Sequence, residues 1–244
     1  MRALLAGLAL LAAVGTAWAG SPLVNELQGF STRYNENPRK IDELKAALEK
    51  AAESQAADVD TLALAQVCFM YGDVRATTED EQLAAFDRGR QAAKRAIALA
   101  PRSAPAQFWY GINTGRWGQT KGIMRSLFLL PTVKEAMQTA LALDPAYAPA
   151  YALGGGIYYE VPSYAGGDLD RSEAMFRKGL ELDPRYTNMR LGLARTLLKK
   201  GRTADARREL EAVLGEKAPS NPADWAVKDV PQAKAILATL GDRS

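Results

Sequence analysis

The chain has 244 residues, 48% hydrophobic and 24% charged, a composition that supports a sizeable core and excludes a largely disordered polymer. Lysine and arginine exceed aspartate and glutamate by only three, so no overall charge draws the chain to nucleic acid, and none is expected as a partner. Histidine is absent, which removes the commonest general base and transition-metal ligand.

The first segment reads as a secretory signal, residues 1–19. Met1-Arg2 gives a short positive start, Ala3 to Val14 is apolar, and Ala17-Trp18-Ala19 offers small residues where a signal peptidase cuts. The apolar run is shorter than the roughly 18 residues of a spanning helix, so cleavage after Ala19 and a periplasmic or secreted protein are expected. Residues 20–244 then form a single domain. No cysteine lies at the cut to carry a lipid, and the one cysteine, Cys68, sits in LALAQVCFMY, a setting that suits a small buried hydrophobe.

Beyond that point the pattern is helical throughout, with no convincing strand. Leu23 to Tyr34 pairs with a helix opened at Asn37-Pro38 and running to about Ser54. Val59 to Tyr71 pairs with Thr78 to Leu99, the latter opened by a capping box from Thr78 to Glu81. One phrase then recurs: AIALAP ending at Pro101, ALALDP at Pro145 and GLELDP at Pro184, each the last turn of a helix stopped by proline. Each proline is followed by a new helix. The pair from Leu191 to Leu214, LGLARTLLKKGRTADARRELEAVL, is nearly unadorned: Leu193 and Leu197 form a face, Gly201 breaks the chain, and Ala206, Leu210 and Val213 follow at helical spacing. Past it, GEKAPSNPADW reads as a loop, and Pro231 to Leu240 as a terminal helix covering the open end of a stack.

This wording resembles the tetratricopeptide repeat. Leu193-Ala194, Leu197, Gly201, Ala206, Leu210 and the preceding Pro184 match that pattern in part, and Tyr151, Gly154-Gly155, Tyr158, Gly167, Phe176 and Pro184 follow it one unit earlier. The resemblance implies an all-α array of about five helical hairpins plus a C-terminal capping helix. Successive prolines are 44 and 39 residues apart, longer than the ~34 of a plain repeat. The excess falls inside the hairpins, at Arg116 to Phe128 and at Tyr159 to Gly166. In the first insertion a helix ends near Gly115. A short amphipathic helix with Ile123, Met124, Leu127, Phe128 and Leu130 then packs down, and a capping box from Thr132 to Glu135 restarts the chain after Pro131. A similar box, Asp170 to Glu173, follows the second insertion.

Few groups could carry chemistry. GRWGQTKG lacks the spacing of a phosphate loop, and no carboxylates show a calcium-loop spacing. Neither a cofactor nor a metal is expected, and the chain does not read as an enzyme. Gly154-Gly155-Gly156 costs about 2–3 kcal/mol of helix propensity against alanine, which close packing must offset for Gly155. The helical period puts Gly156 with Tyr159 and Glu160 on a face that, by resemblance, lines the concave side. In the same phase Phe108, Ile112 and Arg116 form one concave strip, and Asn188, Leu191, Arg195 and Lys199 another. Trp109, Trp117, Lys121 and Tyr164 join them as candidate binding residues, in or beside the insertions.

From Phe108 to Gly167 the wording FWYGINTGRWGQTKGIMRSL, LPTVKEAMQTALALDPAY and GGGIYYEVPSYAGGDLDRSEAMFRKGLELDP is similar to the periplasmic T components of TRAP-type transporters. That resemblance implies association with an extracytoplasmic solute-binding protein and passage of a small hydrophobic ligand. A more distant likeness, from Phe-Trp-Tyr to Leu-Asp-Pro, is to the microtubule-dynamics-regulator repeat family. The expected function is a non-enzymatic periplasmic scaffold that binds a protein or peptide through its concave face and two insertions. A transporter accessory is the alternative.

Overall fold

The computed structural model describes residues 21–54 and 58–241, so the signal segment lies outside the described residues. Twelve α-helical segments follow one another, and no strand occurs among the described residues. They are α1 (Pro22–Ser31), α2 (Lys40–Ser54), α3 (Asp58–Met70), α4 (Glu79–Leu99), α5 (Ala104–Thr120) and α6 (Ile123–Leu143). After these come α7 (Ala148–Glu160), α8 (Leu169–Leu182), α9 (Thr187–Lys199), α10 (Thr203–Gly215), α11 (Pro222–Asp224) and α12 (Val230–Gly241). Consecutive helices pack as five hairpins, each against the next, as in a tetratricopeptide array.

The α9–α10 hairpin forms for local reasons. Leu193, Leu197, Leu210 and Val213 are all buried, so each helix commits one stripe to a shared core. Gly201 takes φ +74°, the left-handed conformation that ends α9, and the Arg202 N–H donates to the Leu197 carbonyl at 2.9 Å. At the start of α4, Thr78 and Glu81 make the expected capping box.

Four elements depart from the sequence reading. The first insertion is no separate helix. α5 continues through the glycines to Thr120, and α6 runs unbroken from Ile123 past Pro131, with no capping box at Thr132. The insertion instead lengthens both arms of one hairpin. A Cβ on Gly118 would lie 3.2 Å from Leu129 Cδ1 and Ser126 Cα, so close α5–α6 packing offsets the propensity cost of glycine there. Pro131 is exposed, and the carbonyl it deprives of a donor, that of Leu127 one turn back, is tolerated near solvent. At α8 the cap is Asp168, which accepts the N–H groups of Asp170 and Arg171, while Glu173 points away to Lys200 and Arg202. The proposed box from Asp170 is therefore absent. At the other end of the chain, α2 begins at Lys40, two residues after Pro38.

The fourth departure is the C-terminal run. Asn221 caps α11, which passes through a π-helical turn, Trp225–Asp229, directly into α12. Ala233, Ile236, Leu237 and Leu240 of α12 pack on the α9–α10 core, as a covering helix should. Residues 222–229, however, reach back to the first helices. Ala223 is buried among α1–α3 and its N–H donates to the Thr32 carbonyl at 2.9 Å. The Tyr34 hydroxyl donates to Asp224 at 2.7 Å. The end of the chain thus ties the first hairpin to the last.

Candidate functional site

The longest hairpin and α7 enclose a cleft of about 510 Å³. Phe108, Ile112 and Arg116 of α5 form one wall, Leu127 and Leu130 of α6 the second, and Gly156, Ile157 and Glu160 of α7 the third. Tyr186 and Asn188, at the start of α9, close one end. Both insertions border it: Gln119 and Ile123 come from the first, Val161 and Pro162 from the second. A Cβ built on Gly156 would meet nothing within 4 Å, whereas one on Gly155 would lie 2.6 Å from the Phe176 ring. Neighbouring glycines thus do opposite things: Gly155 lets α8 approach, and Gly156 leaves space open.

The polar groups in the cleft are few. Arg116 donates to Asp73 at 2.8 Å, its guanidinium lies 5.4 Å from the Phe86 centroid, and its Nε is buried with no partner among the described residues. Asp73 also takes Lys228 at 2.5 Å, and Lys228 reaches Asp224 at 2.8 Å. Burial would lower the Lys228 ammonium, but the Asp73 and Asp224 carboxylates outweigh it and raise its pKa. Asp229 is fully buried; burial raises its carboxyl above the usual range, against hydrogen bonds from Thr187 at 2.7 Å and Asn188. Arg116, Asp73, Lys228, Asp224 and Tyr34 form one chain of charge and hydrogen bonds linking the cleft to the C-terminal run. No local pattern signals it, because Asp73 and Lys228 lie 155 residues apart.

The structure brings six of the proposed residues to the cleft: Phe108, Ile112, Arg116, Gly156, Glu160 and Asn188. The others lie elsewhere. Leu191 is 2% exposed within the α8–α10 core, because residues 225–229 lie across α9, so it is a packing residue and not open lining. Arg195 is held by Gln232 at 2.7 Å, again by the C-terminal run. Trp109 packs against the N-terminal core beside Phe69, with ring centroids 5.6 Å apart, and does not line the cleft beside the insertions. Lys199 lies 3.7 Å from the Tyr159 centroid and donates to the Tyr159 carbonyl, so these two satisfy each other outside the cleft. Trp117 is half-buried between Arg90 and Arg125, and Lys121 and Tyr164 are exposed away from the cleft. Leu127 and Leu130 were legible as apolar helix positions; which way they faced was not.

The family model for regulator of microtubule dynamics protein 1-3 matches residues 27–165, more than half of the chain. The chain belongs to that family. A tetratricopeptide-repeat model matches residues 163–228, and no curated protein matches. Among solved structures, a tetratricopeptide-repeat protein of Thermus thermophilus is 20% identical with a TM-score of 0.65, covering 88% of this chain and 99% of its own. Pseudomonas aeruginosa pilF is 17% identical with a TM-score of 0.54 over 91% of both chains. MamA, 17% identical with a TM-score of 0.50, covers 76% of this chain and 93% of its own. At these identities the likeness establishes the fold. The family assignment favours the likeness that sequence ranked as the more distant, and the tetratricopeptide fold is that of a scaffold for protein partners.

Among the described residues no cluster of acidic or sulfur side chains could hold a metal ion, and no helix is long and apolar enough to cross a membrane.

Proposed function

We propose that the protein is a non-enzymatic scaffold, exported to the periplasm after cleavage near Ala19, that holds a partner's peptide segment in the cleft between α5–α6 and α7. The observation that carries this reading is the bare face at Gly156, an opening between apolar walls with Arg116, Glu160 and Asn188 at its margins. Such a lining suits an extended segment with apolar side chains and a carboxylate or amide that Arg116 can receive. Because the C-terminal run already covers Leu191 and Arg195 in the concave strip of α9, the partner is received at the insertions instead. Gly156→Leu should fill the cleft without disturbing the fold. Mature wild-type protein should cross-link a partner in periplasmic extract that the Gly156→Leu protein does not; equal capture by both would overturn this reading.

A second reading follows from size. A volume of about 510 Å³ falls in the range of small-molecule pockets, roughly 300–1,000 Å³. On that reading the protein is an accessory of a TRAP-type transporter, meeting a solute-binding protein and carrying a small hydrophobic ligand. A co-purifying ligand in native mass spectra, lost in Gly156→Leu, would favour it over the peptide; ligand-free spectra would dismiss it.

A further inference from the structure

The turn between α5 and α6 projects an unusual surface. Met124 is 78% exposed and Phe128 73%, and four residues of separation puts them on one face of α6. Lys121 in the turn and Arg125 beside Met124 are exposed as well. Neither cation has an ion-pair partner among the described residues. The Arg125 guanidinium lies 5.6 Å from the Phe128 centroid and 5.9 Å from that of Trp117, so the charge itself rests beside aromatic surface and meets no carboxylate among the described residues. This face differs from the cleft wall, which Leu127 and Leu130 supply.

The charge of the surrounding segment is one-sided. From Arg88 through Lys134 the sequence holds nine lysines and arginines and no aspartate or glutamate; Arg88, Arg90 and Arg116 pair with Glu49, Asp87 and Asp73 from outside that segment, which leaves the cations nearest the tip, Lys121 and Arg125, without an acid. Apolar side chains in water at a hairpin tip are costly, and acids are missing where they would restore the chain's ordinary mixture of charges.

We propose that the α5–α6 tip docks on an anionic lipid membrane, with Met124 and Phe128 entering the interface and Lys121 and Arg125 meeting phosphate groups. A membrane fits better than an acidic protein because Met124 and Phe128 stand 78% and 73% exposed at a hairpin turn, flanked by the exposed Lys121 and Arg125. These apolar groups protrude between cations, matching a plane with negative charge at the surface and hydrocarbon just beneath. A protein partner would need a cavity to receive them. Each cation at such a surface strengthens binding about five-fold. The proposal stands independently of what the cleft holds.

Co-sedimentation of the mature protein with vesicles of phosphatidylcholine alone, or with a third phosphatidylglycerol, tests it. Binding should require the anionic lipid and weaken with salt. Lys121→Gln with Arg125→Gln should weaken it about 25-fold, and Met124→Ser with Phe128→Ser should reduce it at least 10-fold, by order of magnitude, at unchanged thermal stability. A polarity-sensitive dye on Met124→Cys should report a drier environment with vesicles; Cys68, fully buried, stays unlabelled. No preference for anionic vesicles, or equal binding by the variants, would overturn the proposal. So would an acidic polypeptide shifting the dye signal where vesicles do not.

Discussion

The α8–α10 region and the α5–α7 region use the same helical hairpin and spend their side chains differently. In α8–α10 the large apolar groups other than Leu182 turn inward, and the wet side is laced by charge: Glu173 takes Lys200 at 2.6 Å and Arg202 at 2.8 Å, and Arg190 takes Glu209 at 3.0 Å. In α5–α7 longer arms leave a cleft on one side and Met124 and Phe128 in water on the other. A repeat needs its inward stripe to stack. Residues added beyond that requirement are free to face something else, so the lengthened hairpin is where the cleft and the exposed Met124 and Phe128 lie.

The largest effect should come from the closed region. Leu197→Ala removes a fully buried side chain and should cost about 2–5 kcal/mol by urea denaturation. Phe128→Ser, a larger change in volume at an exposed site, should stay within about 0.5 kcal/mol. Similar losses at both sites would erase the distinction.

Adjacent glycines sharpen it. Gly155→Ala should cost about 1–3 kcal/mol by forcing α7 off Phe176, whereas Gly156→Ala should stabilise by about 0.4–1 kcal/mol through reduced backbone freedom. Opposite signs of the Tm change, read by circular dichroism, are the outcome expected.

A smaller loss than at Leu197, about 1–2 kcal/mol at neutral pH, should follow Glu173→Gln, since its partners keep some solvent. Burial alone would raise the Glu173 carboxyl, but hydrogen bonds from Lys200, Arg177 and Arg202 outweigh it and hold it at about 2, below its ordinary 4.5. A depressed acid stabilises the fold above about pH 4.5, and that stability is lost as pH falls toward 2. Between those values wild type should lose stability more steeply than Glu173→Gln; parallel curves would count against the pairing.

Which features were legible depends on how local their cause is. The Thr78–Glu81 box and the Gly201 turn are made by residues within five positions, and both formed as read. The α5–α6 hairpin was misread because Gly118 and Pro131 carry breaking propensities that only the packing of α5 on α6, and the exposure of Pro131, override. Phe108, Ile112, Arg116 and Gly156 were found because the helical period fixes a shared face. Leu191 and Arg195 share that phase, yet their face is taken by the chain's own C-terminal run. Trp109 failed for a different reason: an aromatic beside an insertion says nothing of which core it joins.

The sequence by itself determined the all-helical class, the hairpin repeat and the bare face at Gly156, because 3.6-residue periodicity and glycine punctuation act over a few turns. Only the tertiary structure decided that residues 222–229 return to α1–α3 through Asp73, Asp224 and Lys228, and that an interrupted-looking segment is one long hairpin with a cleft on its inner side. Those outcomes depend on which surfaces meet when distant units stack. Contacts between residues more than a hundred positions apart leave no period in the chain.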